Sequence, residues 1–151
     1  MIKLNYTLTK QLKALLDNET NFIANLSNAS SLLYHSLKDV NWAGFYLWND
    51  QANQLILGPF QGQVACNRID FGLGVCGTAF KTKETQRVKD VHQFPGHIAC
   101  DSASNSEIVV PFYRKNQLIG VLDIDSPKFD RFTEEDQQMI EEFVSVLNLY
   151  L

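Results

Sequence analysis

The stretch Trp42-Ala43-Gly44-Phe45-Tyr46-Leu47-Trp48 decides the fold, because here the pattern of side chains switches to a period of two. In an extended strand Trp42, Gly44, Tyr46 and Trp48 face one way, and Ala43, Phe45 and Leu47 face the other. Residues 49–53 (Asn-Asp-Gln-Ala-Asn) read as a turn, and Gln54 to Phe60 as a second strand, so the pair predicts a hairpin. Towards the N-terminus the period is helical. Leu8, Leu12, Leu15 and Leu16 fall on one stripe, followed by Phe22, Leu26, Ala29, Leu33 and Leu37, with Asp39 and Asn41 closing the helical region.

Towards the C-terminus the pattern is less regular. Gly72, Gly74 and Gly77 surround Cys76, and Val75 to Lys83 fits a short helix that begins there. Gln86 to Lys89 fits a brief strand. From His92 to Ser106 runs a stretch with Pro95, Gly96, Asp101, Asn105 and three serines, which reads as loop. Loops of that length are uncommon in compact domains and are usually functional or disordered. Two strands follow, Glu107–Tyr113 and Gln117–Ile124, joined by a polar turn at Arg114–Asn116. A last helix starts near Thr133, where Asp136 completes a variant capping box and Glu134 and Glu135 suit the positive end of the helix dipole. Its apolar stripe is Ile140, Phe143, Val144 and Leu147. Helices at both ends of an antiparallel sheet make an α+β pattern.

The 151 residues fit one domain, 1–151, with no linker or repeat. With 45% hydrophobic and 20% charged residues, the chain can bury a core without a disulfide or a metal. A net charge of −4 argues against nucleic acid or an anionic membrane as the main partner. No run approaches a membrane span, and residues 1–20 lack the features of a secretory signal, so the cytoplasm is the expected location.

In a reducing compartment the three cysteines, Cys66, Cys76 and Cys100, do not suggest a permanent disulfide framework. Cys100 lies in the long loop, in Phe94-Pro95-Gly96-His97-Ile98-Ala99-Cys100-Asp101, a setting that suits a reactive thiol as well as a buried one. Cys76 follows Gly72-Leu73-Gly74 and opens a helix, whose N-terminus would lower its pKa; as a packed structural residue it is equally well explained. Cys66 by itself attracts no notice. The three cysteines and His97 could supply four zinc ligands, but their gaps do not match the close pairs of structural zinc sites, so no metal is expected. Glu107, Asp123 and Asp125 begin or end the two late strands, and Asp123 and Asp125 share a face. They are either hydrated strand ends or acids able to bind an ammonium or donate a proton. Trp42 and Tyr46 share a face with only Gly44 between them, which suggests walls of a slot for a small ligand.

Together these segments resemble one family. The runs Asn41-Trp42-Ala43-Gly44-Phe45-Tyr46, Gly72-Leu73-Gly74-Val75-Cys76-Gly77, Asp90-Val91 with Phe94 to Asp101, Ser106-Glu107-Ile108-Val109-Val110-Pro111 and Gly120-Val121-Leu122-Asp123-Ile124-Asp125-Ser126 are similar to the free methionine-(R)-sulfoxide reductases. The likeness runs from about residue 20 to the C-terminus, on a GAF-type domain, and the cysteine and carboxylate pattern shows no departure.

The resemblance implies an oxidoreductase that needs no cofactor. Cys100 would attack the sulfoxide sulfur, and Glu107 or Asp125 would protonate the oxygen. Asp123 would raise their pKa or fix the amino group, while Trp42 and Tyr46 would hold the S-methyl end. Cys100 would become a sulfenic acid, Cys66 would condense with it to a disulfide, and thioredoxin or a similar dithiol would reduce that bond. Cys76 stays open as an alternative attacker or a second resolving thiol. A homodimer is the assembly the resemblance suggests. A non-catalytic GAF module that binds a small molecule, or senses redox state through its cysteines, is the competing reading.

Overall fold

The computed structural model describes residues 2–97 and 103–151, with side chains from residue 7 onward. Two helices, α1 (Ile2–Leu16) and α2 (Phe22–Ser36), lead into the hairpin β1 (Trp42–Asn49) and β2 (Gln54–Gly62). A short β3 (Arg68–Asp70), helix α3 (Gly74–Thr82) and short β4 (Gln86–Val88) follow. The chain then passes through a 3-10 turn (Val91–Gln93) to β5 (Ser106–Arg114), β6 (Gln117–Ser126) and α4 (Glu134–Leu149). The strands form one six-stranded sheet in the order β3-β2-β1-β6-β5-β4, and every neighbouring pair is antiparallel. Among the described residues no helix is long and apolar enough to cross a membrane.

The alternation along β1 sorts the molecule into two layers. Ala43 and Phe45 join Leu8, Leu12, Leu26, Leu33 and the Phe143 stripe of α4 in the main core, which α1, α2 and α4 cover. Trp42 and Tyr46 point the other way, into a second apolar cluster closed by Val75, Ala79 and Phe80 of α3. Burial of large side chains such as Phe45, Phe112 and Phe143 contributes roughly 2–3 kcal/mol each. The expected stripes hold with one exception, Leu15, which is 43% exposed beside buried Leu12 and Leu16.

Helix ends are set locally. The Asn21 side chain accepts a hydrogen bond from the Ala24 N–H at 2.9 Å and starts α2. Before α4 the predicted capping box is complete. The Asp136 N–H donates to Thr133 Oγ1 at 3.1 Å, and the Thr133 N–H donates to Asp136 Oδ2 at 2.9 Å. Asp136 also holds Arg131 Nη1 at 3.0 Å. Strand β3 was not anticipated, because three residues with two exposed polar ends carry no periodic signal.

Two glycines permit the close strand packing. A Cβ on Gly44 would collide with the Cβ of Phe60 across the hairpin, and one on Gly120 would collide with the Tyr46 carbonyl oxygen. Backbone cannot swing aside as a flexible side chain can. Gly120→Ala is therefore expected to destabilise the protein by about 3 kcal/mol, read as a lower urea midpoint; an unchanged midpoint would show that the strands can separate without loss.

Candidate active site

Strand register assembles the site. Trp42 on β1 lies opposite Asp125 on β6, and Asp125 lies opposite Glu107 on β5. Two residues along, Gly44, Asp123 and Val109 form the next row. Directly opposed residues share a face, and so do residues two apart. Both rows therefore look towards α3, whose first turn (Gly74, Val75, Cys76) closes a cavity of about 60 Å³. Trp42, Tyr46, Glu107, Asp123 and Asp125 line it from the sheet, and Leu73, His97 and Ser104 from the connecting segments.

Glu107 and Asp123 are not hydrated strand ends, while Asp125 is half-buried. Glu107 is 8% exposed and Asp123 5%. Burial, and then the neighbouring Asp123 charge, push the Glu107 carboxyl well above its usual range. Burial, and then Asp125, do the same to Asp123. Removing a carboxylate from water disfavours its charged form, and a second carboxylate nearby disfavours it further. The Oδ1 atom of Asp123 accepts no hydrogen bond from the described residues.

Cys76, at 4% exposure, departs from expectation in the same way. It does occupy the first turn of α3, yet burial and then the charges of Asp123 and Glu107 raise its thiol pKa. The helix N-terminus loses to desolvation and like charge, so Cys76 is held as a neutral thiol. Its Sγ donates towards Glu107 Oε2 at 3.9 Å. Cys66 is disulfide-bonded, whereas Cys76 is free. Cys100 lies outside the described residues.

The aromatic wall is closer than the slot drawn from sequence. The Trp42 and Tyr46 rings are nearly parallel with centroids 5.9 Å apart, and Phe60 stacks on Trp42 at 5.1 Å. Gly44 makes room for Phe60 of the paired strand, not for a ligand between the rings. The polar tips of both rings are used: Trp42 Nε1 donates to the Gln63 carbonyl at 3.1 Å, and Tyr46 Oη to the Cys66 carbonyl at 2.9 Å. Burial, chiefly, raises the Tyr46 pKa and keeps its hydroxyl a donor.

The chain is matched by the GAF domain family model over residues 24–149. It is 57% identical to the free methionine-R-sulfoxide reductase of Escherichia coli, over 95% of this chain and 86% of that protein. It is 50% identical to the free methionine-R-sulfoxide reductase of Saccharomyces cerevisiae, over 90% of this chain and 79% of that one. The X-ray structure of the Neisseria meningitidis free methionine-R-sulfoxide reductase in complex with its substrate superposes with a TM-score of 0.92 at 40% identity, covering 97% of this chain and 87% of that one. The chain belongs to the free methionine-R-sulfoxide reductase family.

For a member of this reductase family, the sequence had pointed to part of the cavity wall: Trp42, Tyr46, Cys76, Glu107, Asp123 and Asp125 all line it. Ala65, Ile69, Leu73 and Ser104 were missed, and His97 was weighed only as a zinc ligand. Ser104 looks like generic loop polarity in sequence; its hydroxyl accepts from Asn41 Nδ2 at 3.3 Å across 63 residues of chain, which no local pattern reveals. Burial, and then the nearby His92, depress the His97 pKa, so its ring faces the cavity neutral. Cys76, Glu107 and Asp123 could offer one sulfur and two oxygens to a cation, with ligand atoms within 4.8 Å of one another. Each is held protonated by burial, so a cation would have to displace those protons.

The raised carboxyl pKa values set a pH dependence. Between the ordinary carboxylate range near about 4 and the raised values, the folded state binds more protons than the unfolded one. The stability this confers is present below the ordinary pKa and is lost as pH rises through the folded pKa. The melting temperature is expected to fall as pH rises above the ordinary carboxylate range, and Asp123→Asn to flatten that slope. Equal slopes in parent and variant would exclude Asp123 as the group responsible.

Proposed function

We propose that this chain reduces free L-methionine-(R)-sulfoxide to methionine. The observation that carries the reading is the row Trp42–Asp125–Glu107, which sets an acid held neutral by burial beside an aromatic wall in one cavity. A sulfoxide needs both. Its oxygen is a poor leaving group until protonated, and its S-methyl end, becoming sulfonium-like under attack, is attracted to an aromatic face.

In this reading the Cys100 thiolate attacks the sulfoxide sulfur and Glu107 supplies the proton to the oxygen, with Asp125 as the neighbouring acid. The sulfur–sulfur bond made in the attack and the S–O bond of the substrate both break, the oxygen passes with its proton to Cys100 as a sulfenic acid, and methionine leaves with two electrons gained. Asp123, whose buried Oδ1 accepts nothing from the described residues, would bind the substrate ammonium and release its own proton as it does so. The Cys66 thiolate then attacks the sulfenic sulfur: an S–S bond forms, the S–O bond breaks, and the hydroxyl takes up the proton that Cys66 gave up on ionising and leaves as water. The disulfide state of Cys66 supports this pairing. An external dithiol such as thioredoxin restores both thiols by exchange.

The test is dithiothreitol-dependent consumption of free methionine-R-sulfoxide, run beside the S epimer and a peptide-bound sulfoxide. Selective loss of the free R epimer is expected. No turnover by folded, fully reduced protein would overturn the proposal and leave a cavity that binds a small molecule without transforming it.

A further inference from the structure

The segment between β2 and β3, residues 63–67, carries Cys66 and has no regular structure of its own. Fixing each residue of such a segment costs about 1–2 kcal/mol of conformational entropy, and disulfide formation tolerates only a narrow range of Cα separations. Before the disulfide closes something has to hold Cys66 in place, and besides that disulfide the described residues supply three hydrogen-bond ties. The Leu57 N–H donates to the Asn67 carbonyl at 3.0 Å, an extension of the strand ladder. The other two come from the aromatic wall: Trp42 Nε1 to the Gln63 carbonyl, and Tyr46 Oη to the carbonyl of Cys66 itself.

Trp42 and Tyr46 are each 2% exposed and anchored on the central strand β1. Their near-parallel rings, backed by Phe60, form a stiff unit whose two tips reach carbonyls three residues apart. Both bonds are partly shielded from water, and Cys66 itself is half-buried against the second apolar cluster. Both fasten the loop, whose Ala65 lines the cavity, to the central strand. A sulfenic acid left waiting is open to irreversible oxidation, so the speed with which Cys66 arrives matters.

We propose that Trp42 and Tyr46, besides walling the cavity, are positioning residues for Cys66, holding its backbone where it can close the disulfide. The inference rests on the reductase reading for the chemistry, but not for the tie itself.

Tyr46→Phe keeps the ring and removes only the donor. In single-turnover experiments without reductant, two rates are followed: methionine formation, and disappearance of the Cys66 thiol by mass spectrometry. The ratio of the first to the second is expected to rise about tenfold, the scale set by one lost hydrogen bond. Cys100 sulfenic acid should then accumulate and be trapped by a cyclic 1,3-diketone. In the reduced protein, amides in 63–67 should exchange with deuterium faster than in the parent. Trp42→Phe, which removes the other donor, should shift the same ratio and the same amides. If both rates fall by one factor and exchange at 63–67 is unchanged, the two residues only wall the cavity and the inference is overturned. If the parent forms no methionine at all, the reductase reading fails. Exchange at 63–67 still decides the tie: faster in the variants supports it, unchanged overturns it.

Discussion

Cys100→Ser is expected to lose turnover of methionine-R-sulfoxide by on the order of 10³-fold or more, because a serine hydroxyl is far less nucleophilic than a thiolate at neutral pH and cannot take the oxygen as a sulfenic acid. The same series separates the three cysteines. Cys66→Ser should release about one methionine per chain and then stop, since the first step needs only the attacking thiol and the second needs its partner. Cys76 is disfavoured as the attacker on physical grounds: burial and two neighbouring carboxyls hold its thiol neutral. Single-turnover methionine release, measured after quenching, checks the assignment. A full burst from Cys100→Ser with none from Cys76→Ser would transfer the attack to Cys76.

The second large effect is expected at Glu107. Glu107→Gln preserves size and hydrogen-bonding shape but cannot give up a proton, and kcat should fall by about 10²–10³-fold, the usual contribution of a positioned general acid. KM should move much less. On the proposed role the parent loses its proton donor as pH climbs through the raised Glu107 pKa, so its kcat should decline there. In Glu107→Gln that decline should disappear along with most of the rate. Steady-state kinetics between about pH 6 and pH 10 give the answer. Unchanged kcat with a raised KM would make Glu107 a binding group and shift proton donation to Asp125.

The fold was legible wherever a period ran for six residues or more. Residues 42–48 announced a strand, the Leu8–Leu12–Leu16 series a helix, and Thr133 with Asp136 a helix start, because in each case the local chemistry and the tertiary arrangement ask for the same thing. The three-residue β3 was invisible, and Leu15 sat on a stripe it does not use. At the site, residue types were legible and their states were not. Spacing could put Asp123 and Asp125 on one face, but register across three strands is what sets Glu107 beside them, and burial is what raises the pKa of Glu107 and Asp123. Cys76 shows this most directly. Sequence offers a helix N-terminus that would activate it, and only the packed structure reveals the desolvation that reverses the sign. Gly44 was noticed for the wrong reason: the neighbour it makes room for is Phe60, sixteen residues away in the chain and directly across the hairpin.

The alternation along β1 has an engineering consequence. Ala43 and Phe45 belong to the layer under α1, α2 and α4, while Trp42 and Tyr46, on the opposite side of the same strand, face the cavity. Thermal tolerance and catalytic behaviour are thus tunable on separate sides of one sheet. Repacking beneath the helices can harden the protein, and changes beneath α3 can retune what it accepts, with only strand geometry linking the two. Gly120, pressed against the Tyr46 carbonyl, is where that independence ends.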